Sequence, residues 1–339
     1  MKKFLIYVLS AAVLTLSVIG FTACKNGKQA DKVNLVAITG AQVGVVDDID
    51  YFVVPEPAAS AKVSAVSSLD FAGDLQQLYG GENGYPQAVI VAKTQLCNSS
   101  FCGRFLNEIQ QGCSWLLDDK TSAQTITSAV QSHLTEGLSP KFNANNLSKQ
   151  VIKNCGVRLT SALDCKREIL DFIQKLNSVS EQSFGEPSDS FFVVDGGDSA
   201  VEYQGKVKVY APDGAPALGL AKLMAEEVSL GENVETEYNI VDASLIQTFV
   251  TGANPQADIC VLPVNLAVKL LGSGDKYKML GTLTHGNLYL LSKNGEKITS
   301  ENISSLKGKT VGVVNLAAVP GLTFKLILKN HGVEYSELV

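Results

Sequence analysis

Five short segments rich in glycine, alanine and proline are the parts of this chain best suited to hold a small molecule. Each follows an apolar run that predicts a strand and precedes a predicted helix. Ligands of open parallel sheets bind beyond the carboxyl ends of the strands, where small residues let backbone N–H groups approach a solute. An ordinary strand-to-helix turn has the same composition, and that alternative stays open. The segments are 39–41, 55–57, 213–217, 263–265 and 317–321; the candidate ligand contacts in and beside them are Thr39, Gly40, Glu56, Asp213, Gly214, Ala215, Pro263, Asn265, Asn315, Ala317 and Val319.

Two carboxylates distinguish these segments. Glu56 lies between two prolines, and Asp213 precedes a glycine. Each could satisfy free N–H groups at a helix start or accept a hydrogen bond from a ligand. The segments contain no arginine or lysine, so a sulfonate or nitrate would have to be held by amides and hydroxyls. Carboxylates with a histidine would suit an amine or a heteroaromatic ring equally well.

The elements that must position these segments follow one pattern. Two ten-residue stretches, beginning at Asp50 and Asp258, each contain an acidic residue, four apolar residues and a proline followed by small residues. Four consecutive apolar residues fit a strand buried on both faces, as in a parallel sheet. Proline has no N–H for the ladder and suits the first turn of a helix. The pattern predicts an α/β fold.

The same order of predicted elements occurs twice. One unit runs from Gly205 to Asp258. The other starts at Gly308, reaches the end of the chain and matches the first only if it continues from Val33 to Asp50. We therefore expect two similar α/β lobes, the second of them cut open by a circular permutation. The alternative is a chance similarity between two α/β units.

The N-terminus has the pattern of an export signal. Lys2 and Lys3 precede an apolar run, and Phe21-Thr22-Ala23 closes it before Cys24. This resembles a bacterial lipobox, which predicts a signal peptide over 1–23, lipidation of Cys24 and a tether over 24–32. A plain signal peptide or a transmembrane anchor is the alternative, although the run is short for a stable span.

Composition and cysteine spacing exclude some classes. A net charge of −6 without a basic stripe argues against a nucleic-acid partner. The cysteine and histidine spacings do not match a tetrahedral zinc site, so we expect no metal and no cofactor. Outside the cytoplasm, Cys97 could pair with Cys102 and Cys155 with Cys165. Cys260, inside a predicted strand, is expected to be a buried free thiol.

An ordered set of motifs resembles the solute-binding lipoproteins of ABC importers, of the nitrate, sulfonate, taurine and thiamine-precursor binding type. The resemblance covers most of residues 33–339, in the permuted order. It implies a type II periplasmic-binding-protein fold, with two lobes of mainly parallel sheet flanked by helices and joined by two crossing strands. The motifs lie at 206–217, 258–267, 284–290, 306–312, 50–59 and 85–89.

Mapped onto this chain, the resemblance gives boundaries and further site residues. The crossings fall near 288–293 and 68–86, which places Thr284 and His285 beside the cleft. Lobe one would be 85–177 plus 206–290, lobe two 33–70 plus 300–339, and 178–205 a flexible linker that joins the family's two ends.

The implied function is capture of a small organic or oxyanion solute and its delivery to permease subunits. The resemblance also implies a monomer, anchored by its lipid outside the cytoplasm and without catalysis. Two alternatives remain. One is a surface lipoprotein with an adhesion or structural role, and the other is an enzyme on the same fold.

Overall fold

A computed structural model describes residues 27–80, 84–193, 201–293 and 295–338. The predicted signal peptide and Cys24 lie outside these residues. The strands are β1 (Val33–Ile38), β2 (Tyr51–Pro55), β3 (Asp70–Asp74), β4 (Pro86–Lys93), β5 (Val157–Ser161), β6 (Gly205–Pro212), β7 (Val234–Val241), β8 (Ile259–Pro263), β9 (Tyr277–His285), β10 (Leu288–Ser292), β11 (Thr310–Val314) and β12 (Tyr335–Glu337). The helices are α1 (Ala58–Ala65), α2 (Leu75–Tyr79), α3 (Thr94–Cys97), α4 (Ser100–Trp115), α5 (Ala123–Gln131), α6 (Lys149–Asn154), α7 (Ala162–Asn177), α8 (Ala215–Leu218), α9 (Ala221–Ala225), α10 (Val264–Leu271) and α11 (Val319–Asn330).

The described strands form two six-stranded mixed sheets. Sheet A has the order β12-β1-β11-β2-β10-β3, and sheet B has the order β5-β9-β4-β8-β6-β7. In sheet A, β1 lies between β11 and β12 and is parallel to both, so the two ends of the chain build one sheet. The chain is therefore α/β, as the sequence predicts.

The two strands that share the apolar pattern form as predicted. Residues 51–54 of β2 and 259–262 of β8 are all buried, and each strand ends at its proline. A helix starts within three residues of each proline. Burial on both faces and a proline that cannot extend the ladder explain both boundaries.

The expectation of mainly parallel sheets was wrong for sheet B. There β4 is antiparallel to β8 and to β9, and β5 is antiparallel to β9. Only the β6–β7 and β6–β8 pairs are parallel. The reason lies in the connections: β4 enters sheet B at the edge where β9 leaves it towards sheet A, so β4 runs against β9 and against β8, which ends at that same edge.

Two connections link the sheets. Residues 286–287 join β9 to β10, and α2 with the residues after it joins β3 to β4. Beside the second connection the sheets also share one apolar cluster, in which the ring of Tyr85 stacks on Phe172 at 5.6 Å and contacts Tyr79 at 5.2 Å. Helices α7 and α11 pack together there, and Lys329 Nζ donates to the Ser178 carbonyl oxygen at 3.1 Å. We call this contact between α2, α7 and α11 the seam.

The segment predicted as a flexible linker is packed over part of its length. Phe184, Phe191, Phe192 and Val193 are buried, and Phe192 bridges to Met279 of β9. The apolar island in an otherwise polar segment is what covers the end of sheet B. Residues 194–200 lie outside the described part of the chain. No helix within the described ranges is long and apolar enough to span a bilayer.

Candidate ligand site at the facing edges of the two sheets

The strand register brings several predicted site residues to one edge of sheet B. Thr284 of β9 pairs with Ala88 of β4, and Ala88 pairs with Pro263 of β8. Because Tyr210 pairs with Cys260, parallel strands β6 and β8 end within one residue of each other. The segments that begin at residues 213 and 263 therefore leave the sheet side by side, about 4.8 Å apart.

The corresponding edge of sheet A faces this one. In sheet A, Ile38 of β1 pairs with Val314 of β11, and Pro55 of β2 pairs with Leu288 of β10. The segments after β1, β11 and β2 therefore leave sheet A at the edge where β10 begins. β9 of sheet B ends at His285, and β10 of sheet A starts at Leu288. Three residue steps span at most about 11 Å, so the two edges lie within that distance of each other here. Further along the edges, a Cβ at Gly214 would lie 4.0 Å from Pro57 Cδ.

Buried polar side chains concentrate on the sheet B edge and the first connection. Five of them are no more than 4% exposed, and each has a buried atom without a hydrogen-bond partner in the protein. A buried polar group without a partner costs free energy, and such groups in native proteins call for an explanation. The atoms are Asp213 Oδ1, Asn265 Oδ1, Thr284 Oγ1, His285 Nδ1 and Asn287 Oδ1.

Asp213 begins the segment after β6. Its N–H donates to the Val241 carbonyl oxygen at 3.0 Å, and its Oδ2 accepts from the Lys141 N–H at 2.8 Å. Burial raises the pKa of the Asp213 carboxyl, and the N–H groups of Lys141 and Gly214 oppose that rise. The carboxylate is thus fixed through one oxygen, while Oδ1 remains available.

Glu56 follows β2 and caps α1. Its Oε2 accepts from the Ser60 N–H at 2.9 Å, and its Oε1 accepts from Ser60 Oγ at 2.6 Å. Burial raises the pKa of Glu56, against the opposing effect of Ser60 and of the Asn154 side chain from sheet B's part of the chain. Of the two alternatives in the sequence, the helix-start role is therefore observed.

Asn287 ties Glu56 to the first connection. The Glu56 N–H donates to the Asn287 carbonyl oxygen at 2.8 Å, and Asn287 Nδ2 donates to the Glu56 carbonyl oxygen at 3.3 Å. This second bond sets the orientation of the amide and leaves Oδ1 as the unpaired atom. Sheet A contributes to the site mainly through the loop after β2, residues 56–57.

His285 is held as a neutral ring. Its Nε2 lies 3.3 Å from Thr160 Oγ1. Burial, and secondarily the charge of Arg158, lowers the pKa of His285 to about 3. A neutral imidazole has one donor and one acceptor nitrogen, so Nδ1 can present either to a ligand, according to the role that Nε2 takes.

Sequence reasoning missed the turn at residues 155–156, which lies between α6 and β5 and packs against His285. The His285 N–H donates to the Gly156 carbonyl oxygen at 3.0 Å. Gly156 has φ +62°, and a Cβ there would lie 1.8 Å from the His285 carbonyl oxygen. Only glycine fits so close an approach of two backbones. An Asn-Cys-Gly sequence after a helical segment was the available signal for a turn, but nothing local indicated its partner.

The other predicted contacts are exposed or apolar. Thr39, Gly40, Asn315 and Ala317, on the sheet A edge, are exposed. Thr39 is the N-cap of a short helix at residues 40–42, and its N–H donates to Gln42 Oε1 at 2.8 Å. Val319 is buried at the start of α11, and Gly214 and Ala215 are buried beside Asp213. The exposed four thus differ in burial from the polar set described above.

The six cysteines within the described residues are free thiols, and neither predicted disulfide is formed. Cys155 lies near the Glu56 carboxylate, and burial raises its pKa. Cys165 instead contacts Thr282, so the two thiols point to different partners. Cys97 and Cys102 contact each other as thiols. Cys260 is buried, as predicted.

Within the described residues, no group of three or more His, Cys, Asp or Glu side chains could hold a metal ion.

A groove of about 460 Å³ lies outside the site, at the ends of α7 and α11. It is lined by Ser178, Val179, Lys329 and residues 332–335. None of the buried polar atoms described above lines it.

No protein-family model matches the sequence, and no curated protein matches it. The chemistry of the site accordingly follows from its residues and geometry.

Proposed function

We propose that this protein is an extracytoplasmic solute-binding lipoprotein of an ABC importer, which captures a small solute between two lobes. The observation that carries the proposal is the set of five buried polar side chains with unpaired atoms at the facing edges of two sheets. A ligand could supply hydrogen bonds that these atoms lack.

The proposed fold is a circularly permuted type II periplasmic-binding-protein fold, with sheet A in one lobe and sheet B in the other. Two connections and the shared position of the strand ends support it. Closure would rotate the lobes about the two connections, and the seam beside the second connection would act as the pivot. The closed monomer would then present both lobes to the permease subunits.

The proposed anchor is a lipid on Cys24, followed by a short tether to β1. Its support is the lipobox pattern in the sequence. Replacing Cys24 with alanine should release the protein from the membrane fraction. Retention of Cys24→Ala in that fraction after a carbonate wash would contradict the anchor while leaving the binding site untouched.

Thermal unfolding against a solute library tests the binding function. The full chain, purified in a neutral detergent, would be scanned with amines, amidines, pyrimidines, sulfonates and nitrogen oxyanions. Ligand at a hundredfold excess over its Kd stabilises the folded state by about 2.7 kcal/mol. We expect one chemical class to raise Tm and the bound solute to be recovered unchanged. A cooperative transition with no shift across the library would favour an adhesion role, and conversion of the solute would indicate an enzyme.

A further inference from the structure

The hydrogen-bonding character of the buried site indicates its ligand class. Resting on the proposed function, we infer that the solute is a small cation with N–H donors, a protonated amine or an amidine, and that Asp213 is its principal partner. An oxyanion is thereby excluded as the preferred solute.

The unpaired atoms are mostly acceptors. Asp213 Oδ1, Asn265 Oδ1 and Asn287 Oδ1 are carboxylate or amide oxygens, which accept hydrogen bonds and cannot donate them. The hydroxyl of Thr284 and Nδ1 of His285 can take either role. A ligand that satisfies this set must therefore bring more donors than acceptors.

The charge of the site points the same way. Asp213 and Glu56 are both almost completely buried. One cation already lies near Asp213: the ammonium of Lys141 is 3.4 Å from the Asp213 carbonyl oxygen, and its charge lowers the pKa of the Asp213 carboxyl. Lys141 is exposed to solvent, however. The charge of Arg158 lowers the pKa of His285, and the charge of Glu168 in turn raises the pKa of Arg158. A cation beside Asp213 would gain a buried ion pair, whereas an anion would meet two carboxylates.

Two backbone donors that an anion could use are already bonded or missing. The Ser60 N–H, in the first turn of α1, donates to Glu56. Pro216 stands in the first turn of α8 and has no N–H. The helix starts after β2 and β6 therefore offer fewer donors than the anion cradles that helix N-termini often provide.

A charge-matched series tests the inference. The full chain in neutral detergent would be titrated by calorimetry with benzamidine, benzamide and benzoate, and with propylamine, propanol and propanesulfonate. Within each series the shape is similar while the charge passes from positive to neutral to negative. We expect the cation to bind most tightly, at least about tenfold more tightly than its anionic counterpart.

The variant Asp213→Asn identifies the partner, and Asp119→Asn, at an exposed position, is its control. Asparagine keeps the bond from the Lys141 N–H and removes the buried charge, so the fold should persist with an unchanged or higher Tm. Cation affinity should fall by about 30-fold or more in Asp213→Asn and stay unchanged in Asp119→Asn.

The outcomes separate the two proposals. Preferential binding of the cations, lost in Asp213→Asn, supports both the inference and the proposed function. Preferential binding of the anions, or equal cation affinity in Asp213→Asn, overturns the inference and leaves the binding function standing. If neither series nor the wider library binds to a cooperatively folded chain, both proposals fail.

Discussion

The carboxyl-end edges of the two sheets are built from similar sequence and differ in polarity and burial. On sheet B the edge carries Asp213, Asn265, Thr284 and His285, all buried and all with an unpaired atom. On sheet A, Thr39 and Gly40 after β1 and Asn315 and Ala317 after β11 are exposed. The carboxylate after β2, Glu56, is satisfied by Ser60.

This difference indicates unequal roles. Sheet B offers hydrogen-bonding groups that the fold itself leaves unsatisfied, which is a stability cost that a ligand can offset. Sheet A offers one loop, 56–57, held against the first connection by Asn287. We therefore assign recognition to sheet B and closure to the loop after β2. Four substitutions test this assignment, from the largest expected effect to the smallest.

The largest effect is expected at Gly156. A Cβ in Gly156→Ala would overlap the His285 carbonyl oxygen and would require a positive φ from alanine. We expect a loss of about 3 kcal/mol or more in the free energy of unfolding, measured in urea. Gly137→Ala is the control, because its φ is also positive but nothing lies within 4 Å; it should cost about 1 kcal/mol. Equal losses in the two variants would mean that the contact with His285 is not rigid.

Thr284→Val separates binding from stability. It replaces an unpaired buried hydroxyl with a methyl group of the same size, so stability should rise by up to about 1 kcal/mol while solute affinity falls about fivefold. Thr310→Val is the matched control, because Thr310 Oγ1 is also buried and unpaired but lies at the opposite end of a sheet A strand. It should gain the same stability at unchanged affinity. A loss of affinity in Thr310→Val would refute the assignment of recognition to sheet B.

Glu56→Gln tests the loop after β2 through pH. Burial raises the pKa of Glu56 above its ordinary 4.5. The stability that this group contributes is therefore fully present below that value and is lost as pH rises through the raised pKa. The variant should gain stability relative to the wild type between pH 4 and pH 7, measured by urea unfolding. The exposed control Glu301→Gln should show no such trend, and a Glu56→Gln curve parallel to the wild type would mean that Glu56 is not buried in solution.

The smallest effect is expected on the sheet A edge. Asn315 is exposed and has φ +60°, a conformation that glycine adopts freely. Asn315→Gly should change the free energy of unfolding by less than about 0.5 kcal/mol and solute affinity by less than about twofold. A clear loss of affinity in calorimetry would bring the sheet A edge into the site.

Much of the fold could be predicted because its signals are local. Four apolar residues and a proline specify β2 and β8 wherever they lie in the chain, and the repeat indicated that both ends of the chain are related. The direction of β4 could not be predicted in this way. It depends on which sheet the chain has just left, and no residue in the strand encodes that.

The predicted site residues were identified in an equally uneven manner. Asp213 and Asn265 were predicted because they follow strands, which is a position that sequence reveals, and His285 because the family resemblance places it beside a crossing strand. Whether such a residue is buried depends on what covers it: the turn 155–156 lies against His285, whereas Asn315 is exposed. The role of Gly156 arises from two backbones that meet 129 positions apart in the chain, and only their three-dimensional contact reveals it.

A calorimetric comparison of two double variants tests the central claim most directly. The solute identified by the library would be titrated into the wild type, into Asn265→Ala with Thr284→Val, and into Thr39→Ala with Asn315→Gly. We predict one binding site in the wild type, an affinity lower by about 20-fold or more in the sheet B variant and unchanged affinity in the sheet A variant. Wild-type affinity in the sheet B variant, or a clear loss of affinity in the sheet A variant, would contradict the account.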